Sequence, residues 1–249
     1  MKIALLVPSR ERIDKKAELI NSILNTVDDT NNIFLYFGID EDDPTLDIVS
    51  KMSSFYPFVK IVKIANNGEF QNLGVLWNLC AKESNEEIIS MIGDDMVFLT
   101  KGWDSKIIEE FTYPKCPSDN FKMVYCHDGK HGEKMAVNCF IHRVYMDING
   151  YFMREEFPVD KIDIWLQQIY NAFGRLTYKG DIHIEHKHWN FGKSLVDNVT
   201  RRMRANNAER VSVRLWKELL PERIKEAERI SKHLGINFNP DLINNNKTN

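Results

Sequence analysis

The sequence predicts an α/β domain built on a mostly parallel sheet. Three observations predict it. Short apolar runs alternate with segments of helical period. The runs are continuously apolar, as strands covered by helices on both faces are. They also end in polar residues, on the side where open parallel sheets place their ligands.

The run "KIALLVP" reads as a central strand, because its five apolar residues before Pro8 are too few for a signal-peptide core or a membrane span. Residues 11–27 set Ile13, Ala17, Ile20, Ile23, Leu24 and Val27 at helical spacing. "NIFLYFGID" is the second strand and runs into the acidic "DEDDP"; residues 45–55 are a short helix and "FVKIVKI" is the third strand. "NLGVLWNLCAKES" is a further helix and "EEIISMIG" the fourth strand. Beyond it, "KGWDSKIIEEF" reads as a helix, "FKMVYCHDG" and "KMAVNCFIHRVYMDI" as strand-like, and "KIDIWLQQIYNAFG" as a helix closed by Gly174. "GRLTYKGDIHIEHKHW" carries a last strand, and residues 195–234 read as two helices broken near Pro221. The polar "NNNKTN" ends the chain as a frayed tail.

The bulk numbers are those of an ordinary globular chain: 249 residues, 43% hydrophobic, 28% charged, net charge −3. No global field therefore points to nucleic acid or an anionic membrane. Locally, Lys193 to Lys232 carries eleven Lys/Arg against six Asp/Glu. The four cysteines, Cys80, Cys116, Cys126 and Cys139, form no CxxC pair and read as reduced thiols of a cytoplasmic protein.

Three strand ends deliver polar groups to one edge: Pro8-Ser9-Arg10, Asp40 to Asp43, and Asp94-Asp95. Two adjacent carboxylates at a buried strand end raise each other's pKa unless a positive group neutralises them. A turn pair is the bland explanation; a divalent cation, Mn2+ or Mg2+, is the sharp one. His186 and His188, two apart on a strand-like run, supply imidazoles on one side if the strand continues, although surface decoration gives the same pattern. Arg10 and Lys193 could assist on a diphosphate. No GxxxxGK[ST] loop and no GxGxxG after a strand are present, which removes P-loop and dinucleotide readings.

These residues resemble the GT-A fold glycosyltransferases, the family 2 group and its short bacteriophage versions, over residues 1 to about 195. "LLVPSRER" is similar to the first-strand motif whose polar residues, here Pro8, Ser9 and Arg10, contact the nucleotide. "FGIDEDDPT" is similar to the segment whose first aspartate, Asp40, reads the base. "IGDDMVF" resembles the DxD motif, which gives Asp95 to the metal and Asp94 to the nucleotide, with Gly93 where the family has an acidic residue. "EHKHWNFGK" resembles the C-terminal histidine motif, so His188, then His186, would complete the metal site and Lys193 would meet the diphosphate. "FPVDKIDIWLQQ" resembles the segment holding the catalytic carboxylate, Asp163 before Asp160. General-base work suits an aspartate there, and helix capping is its structural alternative. Asn67, Gly74 and Asn78 match a stretch near the nucleotide, although a helix cap explains them equally simply; Trp103 could stack on a sugar but is more simply core.

The resemblance implies a cofactor-dependent enzyme, with Mn2+ or Mg2+, that moves a hexose or pentose from a nucleoside diphosphate sugar, UDP by family habit, to a hydroxyl. Residues 1–195 would form the GT-A domain, 196–240 a basic helical extension, and 241–249 the tail, in the (host) cytoplasm. The basic stretch "TRRMRANNAERVSVRLWKELL" favours DNA bearing hydroxymethylated pyrimidines as acceptor, against surface polysaccharide, while a solvated helix face explains it equally. A nucleotidyltransferase would want a glycine-rich first loop, and "VPSRER" has none. Gly93 keeps open a non-catalytic module that binds nucleotide or DNA.

Overall fold

A computed structural model describes residues 1–66, 69–188 and 192–244. The sheet is mixed and eight-stranded, and its order follows from which strands are buried on both faces. β1 (Ile3–Pro8) sits between β2 (Ile33–Asp40) and β4 (Ile88–Met91), and β3 (Val59–Ile64) lies outside β2, all four parallel. On β1, Ile3, Leu5 and Val7 enter one core and Ala4 and Leu6 the other, the alternation of a strand covered on both sides. The sheet continues through β7 (Cys139–His142), β6 (Met123–His127) and β8 (Leu176–His186) to β5 (Met96–Phe98), giving the order β3-β2-β1-β4-β7-β6-β8-β5. β7 is antiparallel to β4, and β5 runs antiparallel to β8.

Helix α1 (Ile13–Thr26) covers one face with α4 (Trp103–Glu110), whose Trp103 is fully buried 4.4 Å from the Phe98 ring. Trp103 is therefore core. Leu24 falls off the buried stripe of α1 and is 36% exposed. α2 (Leu46–Phe55) lies against β3. The other face carries α3 (Leu73–Glu83), α5 (Val144–Asn149) and α6 (Ile162–Ala172). The stretch "KMAVNCFIHRVYMDI" is strand only at Cys139–His142; it turns into α5, which Gly150 ends at φ 79°.

The C-terminal region forms three helices rather than two: α7 (Asn198–Ala205), α8 (Ala208–Glu218) and α9 (Leu220–Leu234). Pro221 starts the third, where its missing N–H costs nothing, and the first break falls at Asn207, left-handed at φ 50°. These helices share the core of the preceding domain, since Trp216, Ala227 and Ile230 pack with α6 and α5. Glu226, fully buried, accepts the Tyr145 and Tyr151 hydroxyls and the Trp165 indole N–H at 3.2 Å. The buried Arg223 guanidinium lies 3.7 Å from the Trp216 ring and 4.9 Å from that of Trp165. α10 (Pro240–Asn244) follows, with Ile243 buried, so order reaches Asn244; the rest of the expected tail lies outside the described residues. No described helix is long and apolar enough to cross a membrane.

Two α3 residues fix the loop that leads to α6. The Asn78 amide oxygen accepts the Phe152 and Met153 N–H groups at 2.9 and 2.8 Å, and its nitrogen donates to the Met153 carbonyl at 2.9 Å. At Gly74 the backbones approach so closely that a Cβ would stand 2.0 Å from the Arg154 carbonyl oxygen. Asn67 lies outside the described residues. Gly74→Ala should cost about 1–3 kcal/mol through overpacking, which thermal unfolding would register as a fall in Tm of several degrees; an unchanged Tm would show that the loop yields freely.

Candidate active site

A cleft of about 470 Å³ opens beyond the carboxyl ends of β1, β2 and β4. Such a volume suits a ligand of nucleotide size. It collects Pro8, Ser9 and Arg10 after β1, Asp40 at the end of β2, Asp94 and Asp95 after β4, Asp160 and Asp163 at the start of α6, and His186 and His188 at the end of β8. Lys193 is the one residue of the expected set that does not line it. Its ammonium pairs with Glu185 at 2.9 Å, next to Gly129.

The β2 side is an arginine–carboxylate clamp. Arg10 donates to Asp40 at 2.7 Å and forks onto both oxygens of Asp42 at 2.5 and 3.0 Å. Asp43 is occupied in structure, accepting the N–H groups of Glu11 and Thr45 at 2.8 and 2.7 Å. The floor is the Asp94–Asp95 pair. Asp94 accepts the Ser9 hydroxyl at 2.5 Å and Arg12 at 2.9 Å. Asp95 faces the His186 imidazole, Nε2 to Oδ1 at 3.3 Å, and the Lys15 ammonium at 3.8 Å. Burial pushes the Asp95 carboxyl up, but His186, Lys15 and Arg12 outweigh it and bring it down to about 2. The end of β8 is fastened to this motif by backbone, since the Lys187 N–H donates to the Asp95 carbonyl at 2.9 Å.

β8 stops at His186, so His186 and His188 do not share one strand face; their rings nevertheless lie 5.1 Å apart in the cleft. Burial and the neighbouring His186 lower the His188 pKa to about 4, which keeps it neutral, the form that ligates a metal. One carboxylate and two imidazoles suit Mn2+ in chemistry. Among the described residues, no group of three or more His, Cys, Asp or Glu side chains is gathered into ligand geometry. The residues present fit a divalent ion by type and common location.

Asp163 is half-buried, and Asp160 keeps an open face to the cleft. Burial raises the Asp163 carboxyl above its ordinary range, against the Ile164 N–H at 2.8 Å. Burial, Asp163 and Glu209 raise Asp160 to about 6, a rise that its open face tempers.

The sequence reading missed four groups. Arg12 joins the floor to the cleft roof: besides Asp94, it binds both oxygens of Asp197 at 2.6 and 2.9 Å. Asp197 caps α7 through the Thr200 N–H at 2.9 Å, and α7 forms the roof with Val199, Arg202 and Met203. Lys15 and the fully buried Lys16 complete the set, Lys16 donating to the Glu11 carbonyl. Spacing gave no signal, because Arg12 reaches the site through two successive left-handed residues, Glu11 and Arg12, at φ 56° and 49°. Of the other histidines, His131 pairs with Asp128 at 2.6 Å and His142 accepts the Val144 N–H at 3.1 Å. All four cysteines are buried and free.

This sheet, with its ligand edge, can be compared with solved structures. TarS from S. aureus superposes with a TM-score of 0.59 at 10% identity, over 74% of this chain and 36% of that one. The fold is the GT-A fold. TarS 1–349 in complex with UDP-GlcNAc gives 0.57 at 14% identity over 76% and 59% of the two chains. The mannosyltransferase PcManGT from Pyrobaculum calidifontis, in complex with GDP-Man and Mn2+, gives 0.58 at 11% over 74% and 56%. The chain thus spans under two thirds of the length of each of these. No protein-family model and no curated protein sequence matches it.

Asp160 offers a test of the cleft's electrostatics. Its folded-state pKa lies above the ordinary 3.8, so its contribution to stability is fully present below that value and lost as pH rises through about 6. Asp160→Asn should therefore raise Tm over the wild type at about pH 7.5 and not at about pH 4. Scanning calorimetry showing the same difference at both would remove the shift.

Proposed function

We propose that the chain is a glycosyltransferase that moves a sugar from a nucleoside diphosphate, UDP first, to an acceptor hydroxyl. One observation carries this: the polar ends of β1, β2 and β4, the first turn of α6 and the end of β8 meet in a single cleft of about 470 Å³ on a GT-A sheet. In this reading Asp40, with Arg10 against it, faces the base, and Ser9 and Asp94 line the path of the nucleotide. Asp95, His188 and His186 would hold Mn2+ or Mg2+. The ion would neutralise charge developing on the leaving diphosphate.

Asp163 then takes the acceptor proton. Its carboxyl stands at the cleft wall with a pKa raised by burial, which makes it a stronger base than a solvated aspartate. Asp160, with one face to the cleft, is the second choice for that role. For the acceptor we favour DNA with hydroxymethylated pyrimidines over surface polysaccharide. Arg201 and Arg204 are exposed on α7, the roof helix, and Arg210 and Lys217 on α8, which packs against it, where phosphates could be neutralised. Part of the local basic excess is structural, since Arg223 is buried and Arg214 pairs with Glu218.

Thermal shift against UDP, GDP, CDP and dTDP, each with and without Mn2+, tests the donor class. A rise for one nucleotide that needs Mn2+ is expected; no rise with any of them would remove the enzyme reading in favour of a binding module. Asp95→Asn should abolish that Mn2+-dependent rise while the protein still unfolds cooperatively, because β4 packs through Ile88, Ile89 and Met91. Unfolding of the variant would make the pair structural. Asp163→Asn should lower kcat by about 10²–10⁴ with donor affinity retained. In the wild type, kcat/KM should rise with pH through a value above the ordinary aspartate range; a flat profile there would exclude Asp163 as the base.

A further inference from the structure

We propose that Arg12 is the residue that receives the donor's diphosphate, an inference that rests on the nucleotide-sugar reading above. Of the cations expected in that part, Lys193 is held outside the cleft by Glu185, and Arg10 pairs with Asp40 and Asp42 on the β2 side, which the reading above gives to the base. Arg12 lies where the charge would develop. Its guanidinium stands 2.9 Å from Asp94, beside Asp95, and Lys15 follows it 3.8 Å from Asp95.

The geometry is that of an anion site filled by the protein's own anion. Arg12 presents a planar fork, and its Nε and Nη2 each bind one oxygen of Asp197, at 2.6 and 2.9 Å. Two adjacent N–H groups that hold a carboxylate in this manner match two oxygens of a phosphate equally well. The arginine is set in place beforehand. The Glu11–Arg12 turn is left-handed, and it is fixed by the Glu11 N–H on Asp43 at 2.8 Å and by buried Lys16 on the Glu11 carbonyl. Lys16 is thus a positioning residue for Arg12.

Asp197 is then a competitor. A diphosphate that takes the fork releases Asp197, and with it the N-terminal cap of α7, whose side chains line the roof. Donor entry and the position of the roof are coupled through one guanidinium.

Titration calorimetry of the full chain with UDP and with uridine, in the presence of Mn2+, tests this on three variants. Asparagine tolerates the left-handed region, so Arg12→Asn keeps the turn and removes the cation. It should weaken UDP by about tenfold or more, the loss of a charge-assisted contact, and leave uridine unchanged, since uridine carries no phosphate. Asp197→Asn keeps the helix cap and removes the competing charge, so UDP should bind more tightly. Lys193→Ala should leave UDP within about twofold. Loss of UDP affinity in Lys193→Ala but not in Arg12→Asn would overturn the proposal and leave the glycosyltransferase reading standing. A uridine affinity that falls as far as that of UDP in Arg12→Asn would make Arg12 structural only. A wild-type chain that binds no nucleoside diphosphate removes both readings together.

Discussion

The neutralisation of Asp94 and Asp95 is the constraint on which the site depends. Two adjacent carboxylates stand at the end of a strand whose residues are all buried, and Asp94 is itself only 5% exposed. An unpaired charge in such a place costs several kcal/mol. The chain answers with Ser9 and Arg12 on Asp94 and with His186 and Lys15 around Asp95. The four partners come from three segments, so balancing one dipeptide draws the end of β1, the start of α1 and the end of β8 to one point.

Two features of the fold follow from this requirement. The backbone after β1 adopts two left-handed residues, a conformation costly for a side chain with a Cβ, because that turn aims Arg12 back over the sheet edge. β8 runs eleven residues, pairing with β6 in its first part and with β5 in its last, across a register shift between Cys126 and His127. In that last part His186 stands opposite Met96, next to the aspartates.

The C-terminal helices serve the cleft as roof and the domain as core. α7 reaches the floor through Arg12, whereas α8 and α9 are held by Trp216, Ala227 and Ile230 and by the buried Glu226. Glu226 has a raised pKa, burial outweighing its three donors, and it remains satisfied by Tyr145, Tyr151 and Trp165. Such a fully bonded polar group fixes one packing of α9 against α5 and α6. The helix that closes the cleft is therefore followed directly by helices anchored in the core.

The sequence by itself determined the α/β class, the four parallel strands, the sharing of one edge by Ser9, Asp40 and Asp94-Asp95, and the placing of Asp163 at a helix start. Those features are local: apolar runs, helical period and strand-end polarity are written in consecutive residues. It did not determine that β7 enters antiparallel between β4 and β6, because four-residue apolar strands carry no mark of direction. Nor did it fix His186 and His188 as a pair after a strand end, or the third C-terminal helix. Arg12, Lys15 and Asp197 were invisible because their meaning is pairwise. Arg12 and Asp197 are 185 positions apart, and only a turn of left-handed backbone and a capped helix bring them into contact. Lys193 shows the converse, since the motif resemblance points it to the diphosphate while its ammonium pairs with Glu185, off the lining of the cleft. Pattern specifies what a segment is; the competition of charges for partners in the assembled fold decides which of its side chains face the cleft.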